Sequence, residues 1–257
     1  MNLYQTTALL LAGAGAGAMN ALAGGGTLVT FPALVLLGVP AKIANATSTV
    51  ALIPGAGASL AGYWPEVRSH RRWLRSLVLP SLLGGAAGSL LLLATPELLF
   101  ARLAPALVAF ATLLFAVQNR RGRIGPVAGE APPPPEPSRG WRLAQIGQLL
   151  VAIYGGYFGA GIGILMLAIL LALGLTNIHA MNGLKNFFGL CINLVAAAIF
   201  VANGAVDWVA CLPLVVGAVA GGYLGARLAR LVGQRIARHA VVVTGVLVTL
   251  ILVLQQI

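Results

Sequence analysis

Charged residues are scarce in this chain of 257 residues. Only 8% are Asp, Glu, Lys or Arg, whereas a soluble domain carries about a quarter. Apolar residues make up 59% and form long continuous runs rich in Leu, Ala and Val, without the alternation of a β-barrel strand. The scarcity of charge excludes an ordinary soluble domain, and the runs predict an all-α polytopic membrane protein.

Acidic residues are the scarcest charged group, and each of the five lies in a loop or at the end of an apolar run. Without buried carboxylates, an acid–base pair or a carboxylate proton relay is not expected. The three histidines and two cysteines are scattered, without metal-ligand spacing, and the glycine runs lack the Lys-Ser/Thr ending of a phosphate-binding loop. We therefore predict no catalytic residue, no metal, no cofactor and no enzyme activity.

The net charge of +11 comes from arginines that cluster between the apolar runs. This placement is typical of cytoplasmic loops and of contact with anionic lipid headgroups. The bilayer, and no nucleic acid, is the expected partner of these charges. The N-terminal run lacks the positive start of a signal peptide, so we expect it to be retained in a multi-pass protein of the bacterial inner membrane.

The first apolar run, residues 6–37, is interrupted at its centre by Gly24, Gly25 and Gly26. A single span needs only about 20 residues, and three glycines leave bare backbone in the middle of the run. A similar glycine-rich interruption lies at residues 155–163. Such backbone at membrane depth must be covered by protein or line a polar cavity. Paired interruptions in two halves of a chain indicate the binding site of a transporter.

Two stretches of the first half match the second half in the same order, each without a gap, which indicates a duplication. A shift of 136 aligns Gly38 with Gly174, and a shift of 133 aligns Gly84 with Gly217. We predict a first membrane repeat at 1–118, a cytoplasmic linker rich in Arg and Pro at 119–141, and a second membrane repeat at 142–257. Each repeat has a broken first segment and three spanning helices. The expected unbroken segments are 44–64, 74–93, 98–117, 180–201, 208–227 and 236–254.

The positions of the arginines favour an inverted repeat. Basic residues precede the third segment of the first half, at Arg68 to Arg75, but follow the equivalent segment of the second half, at Arg227 to Arg238. Both clusters lie in the cytoplasm if each half crosses the membrane an odd number of times. This holds when each broken segment is a re-entrant hairpin or two short crossings. The alternative is four plain spans in each half, with one loop that violates the rule.

Lys185 lies one turn into an apolar segment that begins beside the second break. A lysine at membrane depth is by default a functional candidate, although it can also snorkel to the headgroups. Asparagines near the breaks can bind a ligand or join helices. Free N–H groups at helix starts attract anions. The predicted substrate-binding residues are Asn20, Gly24, Gly25, Gly26, Thr27, Asn45, Thr47, Ser48, Thr49, Gly159, Gly161, Gly163, Asn182, Lys185 and Asn186.

The glycine runs and the polar helix starts together resemble the TauE/SafE sulfite exporter family, also called the 4-toluene sulfonate uptake permease family. The resemblance covers both halves. It implies a plasma-membrane transporter of sulfur-containing or organic anions such as sulfite, thiosulfate or sulfonates. Family members often carry a Thr-Ser-Lys-like run where this chain has Asn182-Gly183-Leu184-Lys185. The motifs that carry the resemblance are residues 20–27, Pro32, 38–40, 44–49, 155–161 and 179–185.

These observations predict a secondary transporter of a small anion that works by alternating access, with one repeat rocking against the other. An anion channel of the same architecture is the alternative, because it needs the same donors and positive field. The small-residue faces at Gly84, Gly88, Gly217 and Gly221 fit helix packing within one chain or between two copies. The sequence therefore allows either a monomer or a homo-oligomer.

Overall fold

The computed structural model describes residues 1–22, 25–120, 138–175 and 177–254, and every regular element in these ranges is an α-helix. Side chains are described throughout except at 21–22, 118–120, 178 and 225–241. Most of the expected linker, 119–141, lies outside the described residues. The helices are α1 Leu3–Leu22, α2 Thr27–Leu36, α3 Ala41–Gly62, α4 Trp64–Ser69, α5 Arg71–Ala94, α6 Glu97–Arg120, α7 Arg139–Tyr157, α8 Ile162–Ala172, α9 Ile178–Ala202 and α10 Trp208–Leu254.

Several helices have the length and composition of membrane spans. Arg71–Ala94, Glu97–Val117 and His179–Ala202 are long and apolar enough to cross a bilayer. Shorter apolar helices include both elements that follow a break, Thr27–Leu36 and Ile162–Ala172. Large leucines such as those of α5 remain exposed on the outer surface, where lipid replaces water as the solvent. The protein is therefore a polytopic, all-helical membrane protein, as predicted.

The first break folds the chain back on itself. Gly26, just before α2, packs against Ala16 and Asn20 of α1. The side chain of Val29, further along α2, is the nearest neighbour of a Cβ built on Gly15. As the chain advances along α2, its partners step backwards along α1. These two helices therefore form a hairpin rather than one interrupted rod.

The second break forms the same kind of hairpin. Gly155, near the end of α7, contacts Ile162 at the start of α8, and Gly147 contacts Ile169 further along. The chain between the two helices, residues 158–161, includes Gly159 at φ +82° and Gly161 at φ +79°. Glycine adopts this left-handed backbone without the strain of a Cβ atom, which explains why the glycine run permits so tight a reversal.

A glycine with positive φ also follows each short helix, at Gly38 (φ +88°) and Gly174 (φ +89°). No atom lies within 4 Å of a Cβ built on Gly38, so only its backbone conformation constrains this position. We expect Gly38→Ala to lower the free energy of unfolding by about 1 kcal/mol, measured by thermal unfolding in detergent. Gly62→Ala is the control, because its Cβ also meets open space and its backbone is helical. Equal stability of the two variants would contradict the strain argument.

Helices of one half pack closely against helices of the other. A Cβ on Gly84 of α5 would meet the backbone of Leu149 and Ile153 in α7. Its counterpart Gly217 in α10 meets the backbone of Leu10 and Ala14 in α1 in the same way. Small residues are needed here because the helix backbones touch.

The same contacts give the direction of each pair. One turn further along α5, Gly88 meets Ile153 and Tyr157, which also lie one turn further along α7. Gly221 likewise follows Gly217 by one turn and meets Ala14. Both pairs, α5 with α7 and α1 with α10, therefore run parallel. The small-residue faces at these glycines are occupied within one chain.

The buried apolar residues form two main cores, and each contains helices from both halves. The first core joins α1, α2, α3 and α6 to α10 and also contains the ends of α5 and α9, at Leu92, Ala196 and Phe200. The second core joins α5 to α7, α8 and the part of α9 up to Ile192. The tip of the second hairpin, at Phe158 and Ala160, belongs to the first core, so it lies where the two cores meet.

Two element boundaries differ from those predicted. The basic loop after α3 contains a short helix, α4, because Pro65 and Glu66 suit a first helical turn and Val67 is buried against Gly183 of α9. The backbone from Trp208 to Leu254 is helical throughout, where we predicted two segments, 208–227 and 236–254. The intervening sequence lacks proline and is rich in Ala, Leu and Arg, which are strong helix formers.

Candidate functional site

The tips of the two hairpins lie against the same part of α6. Gly25, in the first tip, faces the ring of Phe115, and Gly161, in the second tip, faces Leu114 and Ala111. These α6 residues span little more than one helical turn. The structure therefore brings the two glycine breaks to one region of the protein, although they are far apart in sequence.

The first tip is closed by Asn20. Its Oδ1 accepts a hydrogen bond of 2.7 Å from the N–H of Gly26, across the break. A Cβ on Gly26 would lie 2.8 Å from the Ala16 carbonyl, and Gly25 has φ +103°. Thr27 begins α2 and is partly buried, whereas Gly24 lies outside the described residues. At this tip, Asn20, Gly25 and Gly26 hold the hairpin together.

Asn20→Ala is expected to destabilise the protein by about 1 kcal/mol, the usual net contribution of one hydrogen bond within a protein. Because the lost bond is local to the first tip, the stabilisation of the protein by an added anion should not change. Thermal unfolding with and without anion measures both quantities. Loss of the anion response in Asn20→Ala would place this residue in the binding site instead.

The hydroxyl groups at the start of α3 are bonded within the protein. Thr47 accepts from the Asp207 N–H at 3.0 Å, Ser48 is hydrogen-bonded to Thr30 of α2, and Thr49 donates to the carbonyl of its own helix at Asn45. All three predicted site residues are buried. Their hydroxyls join α3 to α2 and to the start of α10.

Asn45 reaches from α3 to the second hairpin. Its side chain is 1% exposed, and its Nδ2 donates a hydrogen bond of 3.0 Å to the carbonyl of Tyr157 at the end of α7. Its Oδ1 is buried and has no hydrogen-bond partner among the described residues. Asn45 thus combines one bond between α3 and the end of α7 with one unused acceptor.

The second tip is held by a tyrosine. The hydroxyl of Tyr154 donates to the Ala160 carbonyl at 2.8 Å and so holds the loop over α7. Neither α8 nor α2 has a described side-chain cap, and the first N–H groups of a helix lack partners earlier in the helix. Gly163 lies in the first turn of α8, and because it has no side chain the backbone there is bare.

Lys185 covers that first turn of α8. Its Cδ lies 3.0 Å from a Cβ built on Gly163, and its Cγ and Cε are also within 4 Å. Lys185 is partly buried, and its ammonium group, one bond beyond Cε, is held near the helix start. Asn182 lies one turn earlier on the same face of α9, while Asn186 donates to Ser59 of α3 at 3.0 Å. The structure therefore brings together Gly159, Gly161, Gly163 and Lys185.

An aromatic cluster beside Asn45 was not predicted. It consists of Phe31, Phe100, Tyr157 and Phe158, which come from α2, α6, the end of α7 and the second tip. Phe31 lies edge-to-face with both Phe100 and Phe158 at centroid distances of 6.4 and 5.4 Å. The signal in the sequence was the pair Tyr157-Phe158 inside the second glycine run. This aromatic cluster joins the second tip to the first core.

Comparison with known proteins agrees with this architecture. The family model described as sulfite exporter TauE/SafE matches residues 9–252. A probable membrane transporter protein of Haemophilus influenzae is 27% identical over 93% of this chain and 90% of its own length. A probable membrane transporter protein, ORF9, of a Sinorhizobium species is 25% identical over 90% of this chain and 85% of its own length. No solved structure matches the chain.

Proposed function

Because the chain belongs to the TauE/SafE sulfite exporter family and is similar to two proteins named as probable membrane transporter proteins, we propose that it is a secondary transporter of small sulfur-containing or organic anions. The substrate class comprises sulfite, thiosulfate and sulfonates, and the membrane is the bacterial inner membrane. The observation that carries this proposal is the position of Lys185 across the uncapped start of α8.

The start of α8 has the chemistry of an oxyanion site. The 11 residues of this helix align their peptide dipoles with the positive end at Ile162, where the first N–H groups of the helix converge. Lys185 adds a full positive charge there, and the bare backbone at Gly159, Gly161 and Gly163 allows a ligand to approach closely. The start of α2 is also uncapped, but Lys185 lies at the start of α8, so we place the substrate at the second tip.

We also propose that the two repeats, 1–118 and 142–257, are inverted and joined by a cytoplasmic linker at 119–141. The contacts between α3 and α9, which are equivalent helices, support this orientation. Asn186 bonds to Ser59, whereas Gly183, earlier in α9, contacts Tyr63, later in α3. The two helices therefore run antiparallel, as an inverted repeat requires.

The moving bodies in alternating access are, in this proposal, the two cores, which α5 and α9 connect, rather than the two repeats. Close backbone contacts join α1 to α10 and α5 to α7, so rocking one repeat against the other would separate well-packed helices. The interface between the two cores contains the second tip and the aromatic cluster. A movement there would open the start of α8 alternately to the two sides of the membrane.

Thermal unfolding of the purified protein with a panel of anions tests the proposed function. A ligand that binds only the folded state raises the apparent stability by mass action. Choline salts of sulfite, thiosulfate, sulfate, acetate and chloride, together with taurine, vary the anion without a metal cation. We expect a selective rise in Tm with a sulfur oxyanion or a sulfonate, and saturable exchange of that anion by proteoliposomes. Equal Tm in all the salts would contradict the proposal.

A further inference from the structure

The amide of Asn45 presents a buried acceptor that nothing in the described protein uses. Its Oδ1 has no hydrogen-bond partner, and the side chain is 1% exposed. The orientation of the amide is fixed, because rotating it would place its oxygen against the Tyr157 carbonyl, to which Nδ2 now donates. Buried acceptors are satisfied in nearly all folded proteins, so an unsatisfied one indicates an absent ligand or water.

Further acceptors lie at the end of α7, where the Asn45 amide contacts the Tyr157 carbonyl. The last carbonyls of a helix have no partners within the helix and carry the negative end of its dipole. The Tyr154 carbonyl accepts from both Phe158 and Gly159, so the Gly159 N–H does not donate to the Gly155 carbonyl one turn earlier. The end of α7, which Asn45 reaches, therefore offers neutral oxygens in addition to the unpartnered amide oxygen of Asn45.

The chemistry of these oxygens points to a monovalent metal cation. Divalent ions in protein sites usually need carboxylates, and the nearby Glu97 is engaged with the N–H of Lys42 at the start of α3. Proton transfer requires a group that titrates, which an amide does not. Desolvated carbonyl and amide oxygens suit alkali cations, which transporters bind at the ends of broken helices.

We propose that Asn45 and the end of α7 bind Na⁺. Coupling of the cation to the anion rests on the proposed function. The cation would bind at the end of α7, and the anion would bind at the start of α8, on the other side of the second tip. Opposite charges attract across the short loop between these two helix ends. Each ligand therefore strengthens binding of the other to the same extent. Asn45 also belongs to α3 in the first core, so a bound cation would connect the two cores.

The test compares Tm of the purified full chain in sodium, potassium and choline chloride at equal ionic strength. We expect Na⁺ to raise Tm by several degrees over choline, and Asn45→Leu to remove this rise. Asn186→Leu is the matched control, because it removes an asparagine that bonds two helices and should keep the Na⁺ response. If Asn45→Leu fails to fold, Asn45→Asp provides the second variant, in which an added negative charge should lower the Na⁺ midpoint at least tenfold.

The outcomes separate this inference from the proposed function. Equal Tm in sodium and choline chloride, with the anion response intact, would overturn the cation site and leave the anion transporter standing. An unchanged Na⁺ response in both Asn45 variants would overturn it as well. A Na⁺ response that depends on Asn45, without a response to any anion, would support the cation site and contradict the proposed function.

Discussion

Lys185→Met is expected to weaken binding of the stabilising anion at least tenfold, which corresponds to about 1.4 kcal/mol. Methionine keeps an unbranched chain that can lie across Gly163 but removes the positive charge at the start of α8. Hydrogen bonds to charged groups contribute about 1.5–3 kcal/mol, so this loss should dominate any effect on packing. The midpoint of the Tm rise against anion concentration measures it.

Lys42→Met is the matched control for Lys185. The ammonium of Lys42 donates to the carbonyls of Leu93 and Thr95. It is therefore bound at the end of α5 and not at the start of α8. This variant should unfold at a lower temperature and keep the anion midpoint of the parent protein. Equal midpoints in the parent and both lysine variants would remove Lys185 from the anion site.

Gly88→Ala is expected to cost about 3 kcal/mol, at the upper end of the usual range for overpacking. The new methyl group would meet the backbone of Ile153 and Tyr157, and a backbone cannot rotate away as a side chain can. The helices α5 and α7 must therefore move apart. At about 2–4 °C per kcal/mol for a protein of this size, we expect Tm to fall by roughly 6–12 °C.

Two further variants make the comparison specific. Gly57→Ala, in α3, places its methyl group in open space and should leave Tm unchanged or slightly higher. Gly221→Ala, in α10, meets the backbone of Ala14 and should lose as much stability as Gly88→Ala, because the two contacts are equivalent. A mild effect at both Gly88 and Gly221 would contradict the close packing of these helix pairs.

The breaks in the helices could be predicted from the sequence because glycine acts locally. Glycine is a poor helix former, so interruptions at residues 24–26 and 155–163 could be predicted from composition, although adjacent glycines such as Gly84 and Gly85 remain helical within α5. The direction of α2 and α8 after each break depends on contacts such as Gly147 with Ile169. Those contacts join residues on separate helices, and the pattern within either helix does not contain them.

The roles of the polar residues near the breaks could be predicted only in part. Hydroxyl residues near a helix break are typical of a binding site, which is why we predicted one at Thr47, Ser48 and Thr49. Their hydrogen-bond partners, however, include Asp207 and Thr30 of the protein itself. A hydroxyl at membrane depth needs a partner, whether protein or ligand, and the residue type is the same in both cases. Asn45 satisfies one side of its amide with Tyr157 and leaves the other side unused, which only the three-dimensional structure reveals.

The sequence also could not predict which helices share a core. Similarity between residues 1–118 and 142–257 suggests that each half folds on itself. Packing is decided instead by matching surfaces, and the glycine face of α5 fits α7 more closely than a helix of its own half. For this reason we propose a motion of cores, whereas the sequence predicted a motion of repeats.

The pairing of α1 with α10 has a consequence for biosynthesis. The backbone of α1 packs closely against Gly217 and Gly221 of α10, and the structure describes eight helices, α2 to α9, that are synthesised between these two partners. Until α10 enters the membrane, the small-residue face of α1 is in contact with lipid or with an insertion factor. This pair is therefore expected to form late in assembly, and a nascent chain that stops before residue 208 would be a substrate for membrane proteases.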